Sequence, residues 1–166
     1  MRLVGAAGEV PAADWERLSG SANPFAARAF YTSLEDSGSA TLETGWRPLH
    51  FLVEGEGGVA GLLPGYLKSH SQGEYVFDHG WADAWRRAGH QYYPKLQHAT
   101  PFTPATAPKL LTEDAEARAL LVAASEQLVR ENGLSGAHAT FLPDQDADIF
   151  AGRGWLERND VQYHWR

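Results

Sequence analysis

A chain of 166 residues with 43% hydrophobic and 11% aromatic side chains matches one domain with a core of its own. Twenty-one acids against fourteen bases leave a net charge of -7, and no Lys/Arg cluster offsets it, which argues against a nucleic-acid surface. The lack of cysteine removes disulfides, thiolate zinc sites and cysteine nucleophiles together.

The opening "MRLVGAAGEVPAADWERL" lacks the long apolar stretch of a secretory leader. No later run approaches the roughly 20 apolar residues that span a bilayer, so a soluble, cytoplasmic protein is expected. Met1 to Ala6 reads as a first strand, and Pro11 followed by "AADWERL" as a helix entered through proline. Asn23 and Pro24 set a turn and cap before a second helix. There Phe25, Ala29, Phe30 and Leu34 share a face, and Gly38 ends it. "RPLHFLVEGEGGVAGLLPGYLKS" holds two apolar runs about a Gly/Glu-rich turn, the pattern of an antiparallel hairpin, with Pro64 at a bulge or edge.

"YYPKLQHATPF" is β-prone, and Pro101, Pro104 and Pro108 in the segment after it forbid regular structure, which predicts a stiff loop. Thr112 is placed to cap a long helix, with Glu113, Asp114 and Glu116 in its first turn. Ala117, Leu120, Leu121, Ala124 and Leu128 line one face of that helix, and Gly133 stops it. "GAHATFL" then reads as a strand, "PDQDADIFAGRG" as a short helix and "DVQYHW" as a last strand. The order β-α-α-β-β-β-α-β-α-β results, an α/β (α+β mixed sheet) fold expected to form a single domain over 1–166.

The stretch richest in chemistry is Lys68 to Trp85, "KSHSQGEYVFDHGWADAW". His70, Asp78 and His79 offer metal-ligand atoms, but their spacing matches none of the helical ligand pairs, so no metal is expected. Amine acylation needs a base, and Glu74, Asp78 and His79 are the catalytic candidates, with His70 a fourth. Lys68 and Lys95 are suited to an anionic substrate group. The competing structural reading makes "YVFDH" a strand, with Tyr75 and Phe77 on one face and Asp78 capping the next turn. Tyr92, Tyr93 and Phe102 offer apolar area for a substrate wall, and Gln97, Thr103 and Thr106 offer hydrogen bonds. Trp81 and Trp85, at i,i+4, suit either a sugar-stacking face or, as expected more often, a core-facing stripe.

"GRGWLERNDVQYHW" resembles the ending of GNAT N-acyltransferase chains. "NPFAARAFYTSLEDSGS", "TGWRPLHFLVE", "PGYLKSHSQGEYVFDHGWADAW", "YYPKLQHATPFTPATAP" and "VQYHW" resemble the bacterial Fem-like, peptidoglycan-biosynthesis GNAT proteins. The resemblance covers most of the chain and implies a GNAT-like fold forming the N-terminal half of a tandem architecture. It also implies acyl or aminoacyl transfer to an amine on a small molecule or cell-wall precursor, with a C-terminal half as partner. The donor implied is acyl-CoA or aminoacyl-tRNA for the full-length protein. The substrate-side residues are then Lys68, His70, Tyr75, Trp81, Tyr92, Tyr93, Lys95, Gln97, Phe102 and Thr103. GNAT enzymes that use CoA seat its pyrophosphate on a Gly-rich loop opening the long helix, whereas "TAPKLLTEDAEARA" has no glycine and carries three acids, which speaks against that mode here. The other reading is a GNAT-fold recognition or scaffolding domain without turnover.

Overall fold

In a computed structural model the chain is described at residues 1–20, 22–76, 78–159 and 161. Strand β1 (Arg2–Val4) leads into helices α1 (Ala12–Ser19) and α2 (Arg28–Asp36). Four strands follow: β2 (Trp46–Pro48), β3 (His50–Gly55), β4 (Gly58–Leu63) and β5 (Tyr66–Lys68). Helix α3 (His79–Arg87), β6 (Lys95–His98), α4 (Ala115–Glu131), β7 (Ala137–Ala139) and α5 (Asp144–Gly152) complete the order.

The expected hairpin is present and longer than one sheet needs. β2 and β3 run on from each other through Leu49, and β4 and β5 through Pro64 and Gly65, so a single hairpin contributes to two sheets. Its outer half pairs β3 with β4 and with β1; its inner half pairs β2 with β5, which continues antiparallel to β6 and then parallel to β7. Pro64 lies at the break between β4 and β5, where no ladder donor is required, while the register shift falls at Val53/Glu54 instead.

Side chains alternate across this hairpin, and each face finds its own helices. Leu52, Leu62, Trp46 and Tyr66 join Trp15 of α1 and Tyr31 of α2 in one cluster. Phe51, Leu63 and Leu96 join Leu121 and Val122 of α4 and Phe150 of α5 in the other. The result is a mixed α/β architecture with helices on both sides. Gly61 lets α4 approach β4, since a Cβ there would lie 3.1 Å from that of Ala117.

Several helix expectations shift by a residue or two. Asn23 accepts from the Phe25 amide as foreseen, but the buried residue of α2 is Tyr31, and Ala29 is exposed. The cap of α4 is Asp114, whose carboxylate accepts from the Glu116 and Ala117 amides. Thr112 instead accepts from the Asp114 amide and donates to Ala60 O, tying the loop to β4. Leu120 is exposed because the buried stripe runs through Ala117, Leu121, Val122 and Ser125. The proline-rich segment is irregular, and the Asp146 carboxylate fixes it by accepting the Lys109 and Leu110 amides. The expected strand "DVQYHW" lies outside the described residues apart from Val161.

Candidate functional site

On the α1/α2 side of β5, β6 and β7 the sheet turns from apolar to polar. Lys68 and Lys95 are register partners on neighbouring strands, as are Gln97 and His138, so they continue the face begun by Trp46 and Tyr66. Side chains from the connection between β5 and β6, among them Ser71, Glu74, Asp78 and Tyr92, meet this patch. Both lysines and Gln97 are fully buried.

Lys95 is the hub. Its ammonium donates to Glu74 Oε2 at 2.7 Å and Asp78 Oδ2 at 2.5 Å, with Ser71 Oγ at 3.2 Å and His138 Nδ1 at 3.3 Å. Four acceptors meet three protons, so the group is saturated. Tyr92 OH donates to Asp78 Oδ2 at 2.8 Å and stands 3.5 Å from His138 Nε2. With the His138 proton on Nε2, a ring of contacts closes through Lys95, His138, Tyr92 and Asp78. The Tyr93 and Ser71 hydroxyls meet at 2.6 Å on the outer side.

The electrostatics separate the two carboxylates. Burial pushes Asp78 up, but hydrogen bonds from Lys95, Ser71 and Tyr92 outweigh it and hold the group at about 2. Glu74 goes the other way, because burial outweighs its attraction to Lys95 and Lys68 and raises its proton affinity. Glu74 Oε1 and Asp78 Oδ1 are buried without a hydrogen-bond partner. Burial, with Lys95 beside it, lowers Lys68 to about 7. Its ammonium donates to Gln72 O and sits 3.5 Å above the centre of the Trp46 ring. Burial and Lys95 likewise bring His138 down to about 4.

Glu74, Asp78, Lys68, Lys95, Tyr92 and Tyr93 thus assemble from the sequence candidates. Ser71 and His138 complete the cluster and were not singled out from the sequence. The signal for His138 was an imidazole flanked by alanines in a three-residue strand, a polar group that must face one side of the sheet.

Other candidates fall elsewhere. His70 spends Nε2 on Thr44 O and Nδ1 on the Gln72 amide, which makes it a loop fastener rather than a ligand. His79 is exposed at the first position of α3. "YVFDH" forms no strand among its described residues, since Tyr75 takes φ 57 and is exposed. Asp78 precedes α3 but makes no capping bond, its carboxylate being drawn to Lys95. Gln97 donates to Thr140, and Thr103 folds back to Pro101 O, so the expected substrate wall does not form as one surface. Thr106 is exposed, with its carbonyl bonded to Asn23. Phe102 packs on Trp46 at 5.3 Å over Gly73, where any Cβ would lie 2.6 Å from its ring. Trp81 and Trp85 share a face of α3 as their spacing requires, but that face is turned outward: they are 64% and 42% exposed, and Ala82 is the buried residue of the helix.

Glu74, Asp78 and His138 offer three metal-ligand atoms within 4.8 Å of one another. The Lys95 ammonium is hydrogen-bonded to all three and supplies the positive charge there. At the start of α4, where a nucleotide pyrophosphate would seek free amides, Asp114 has taken those of Glu116 and Ala117, and Glu113 and Glu116 stand alongside. The residues present do not fit that group. A groove of about 230 Å³, lined by Ala82, Arg86, His90, Gln91, Tyr92 and Tyr93, reaches the outer side of the two tyrosines that close the cluster.

The family model FemAB_like, described as peptidoglycan biosynthesis/recognition, matches residues 6–166. Among solved structures, the aminoglycoside N-acetyltransferase AAC(6')-Iy in complex with CoA is similar at 12% sequence identity and a TM-score of 0.48, covering 84% of this chain and 89% of that one. No curated protein matches the chain.

Proposed function

The chain belongs to the FemAB-like family of peptidoglycan biosynthesis and recognition, and from that membership we propose that it is the acceptor-binding part of an N-acyl- or aminoacyltransferase of GNAT-like fold. The observation that carries the reading is Glu74. One of its oxygens is held by Lys95 while the other, Oε1, is buried and unpartnered, and burial raises its affinity for a proton. A primary amine entering beside Glu74 donates to Oε1. As the amine nitrogen bonds to the acyl carbon, Glu74 takes the proton it sheds, and the donor's leaving group departs with the electrons of the broken acyl bond.

Asp78 is unsuited to that role because it stays ionised to about 2. Its work is to anchor Lys95 and Tyr92 around Glu74. Lys95 has no lone pair to offer while its three protons are engaged. The acceptor approaches along the groove beside Tyr92 and Tyr93. Donor binding falls to a C-terminal half of the full-length protein, in keeping with the acid-capped start of α4.

The test follows transfer of labelled acetyl from acetyl-CoA, and of a labelled amino acid from aminoacyl-tRNA, to a muropeptide amine by mass spectrometry. The full-length protein and its Glu74→Gln variant are compared. Turnover should fall by about 10²- to 10⁴-fold with circular dichroism unchanged. Full turnover by the variant removes Glu74 as the base.

A second reading, a recognition domain without turnover, is favoured by one observation: Glu74 and Lys95 expose almost no surface. Muropeptide binding by the full-length protein with no transfer from either donor would establish it.

A further inference from the structure

Helix α3 is the least buried helix for its content of large aromatic side chains. It has nine residues, of which Ala82 is the buried one, while Trp81 and Trp85 point outward. A helix of this length is marginal on its own and is ordinarily held by packing of one face. The face with the largest apolar area is here the exposed one, where Trp85 meets the His90 ring at 5.5 Å and both indoles remain open to solvent.

Further features set the character of this helix. Ala84 and Ala88 lie on the same side as the tryptophans at helical spacing, so the exposed stripe is continuous. Asp83, Arg86 and Arg87 lie away from the tryptophans at helical spacing, so the helix is amphipathic. Its last turn carries Arg86 and Arg87 in a chain whose net charge is -7, so this is a local basic spot on an acidic protein. Arg86 pairs with Asp83 at 2.9 Å, but both side chains are exposed and such a pair is readily exchanged. Tyr75, just before the helix, adds a third exposed aromatic ring.

We propose that α3 docks the protein on the surface of an anionic bilayer, with Trp81 and Trp85 lying in the headgroup boundary and Arg86 and Arg87 reaching lipid phosphates. Indole rings favour that boundary because one edge is apolar and the N–H still finds a partner. Arginine stems lie along apolar surface while the guanidinium reaches the phosphates. The contact is peripheral: no helix among the described residues is long and apolar enough to cross a membrane. The two arginines give the attraction its sign, since the rest of the chain repels an anionic surface. The proposal stands apart from the acyl-transfer reading, because it rests on α3 alone and needs no turnover.

The experiment is co-sedimentation of the protein with vesicles of phosphatidylcholine containing phosphatidylglycerol, beside vesicles of phosphatidylcholine alone, with tryptophan emission recorded in parallel. Binding to the anionic vesicles, a blue shift, and loss of binding at high salt are expected. The Trp81→Ala/Trp85→Ala variant should need about tenfold more lipid for half-binding, and Arg86→Gln/Arg87→Gln should lose the preference for anionic lipid. Both pairs are exposed, so the variants fold, and thermal melts check it. Absence of binding, or equal binding by the tryptophan variant, overturns the proposal. So does a dimer that the tryptophan variant dissolves without any vesicle binding, which would make the face a contact between copies. An emission shift with soluble glycan but not with vesicles would replace it by saccharide stacking.

Discussion

Lys68 and Lys95 face one another across the antiparallel pair β5/β6, both without exposed surface, yet their circumstances differ sharply. Lys95 carries two carboxylate partners, whereas Lys68 has one carbonyl and the face of Trp46. Removing Lys95 with Lys95→Met leaves two buried carboxylates unpaired and should cost about 3–5 kcal/mol. Lys68→Met removes a cation that burial already penalises, and should change stability by less than about 1 kcal/mol. Urea unfolding of both variants checks the contrast; equal losses would mean that Lys95 does not hold the cluster together.

The buried histidines set an acid limit on stability. His98 and His138 ordinarily titrate near 6.5 and are brought to about 4, each chiefly by burial. Between those values the unfolded chain binds protons that the folded chain refuses, so the histidine contribution to stability climbs as pH rises from about 4 to 6.5 and is complete above. Glu74, raised by burial, works in the opposite sense above its ordinary 4.5 and flattens the upper part of the climb. Melting temperatures from pH 4.5 to 7 should show this rise, and His138→Gln should make it shallower. Parallel curves for the two proteins would exclude His138 as a contributor.

The fit between Gly73, Phe102 and Trp46 is tight enough to test with one methyl group. Gly73 has φ 77, and a Cβ there would meet the Phe102 ring at 2.6 Å. Gly73→Ala should therefore destabilise the protein by about 1–3 kcal/mol. It should also disturb the near-ultraviolet circular dichroism, because Phe102 lies on Trp46. A neutral substitution would show that the loop carrying Phe102 gives way freely.

Tyr92 and Tyr93 look equivalent in the sequence but hold different partners. Tyr92→Phe deprives the buried Asp78 of a donor and should cost about 1.5–3 kcal/mol. Tyr93→Phe affects a hydroxyl pair with Ser71, which keeps Lys95 as a neighbour, so about 1 kcal/mol or less is expected. Thermal unfolding of the pair measures the difference, and the reverse order would contradict the hydrogen-bond ring.

The elements legible from sequence were those with strong local signals: the long helix, the hairpin, the proline-stiffened loop. What escaped was decided across the chain. Tyr31, rather than Phe25 or Phe30, is the buried ring of α2 because its hydroxyl reaches Thr100 at 3.1 Å, a partner 69 residues away. α3 was hidden because its aromatic spacing reads as a core stripe, while the fold turns it outward. The candidate site was half legible: the acids and lysines stand out by residue type. His138 joins them through parallel pairing of β7 with β6, which no local pattern announces.

The shared hairpin has a consequence for folding fidelity. Because successive side chains on β5 point to opposite sides, sliding this strand by one residue against its partners would carry Lys68 and Tyr66 into the apolar layer beside Leu121, and Leu67 into the company of Glu74. The Lys68 ammonium would lose Gln72 O and the Trp46 ring and lie buried among apolar side chains. Lys68 thus acts as a proofreading device, penalising the misaligned sheet far more than an all-apolar strand would.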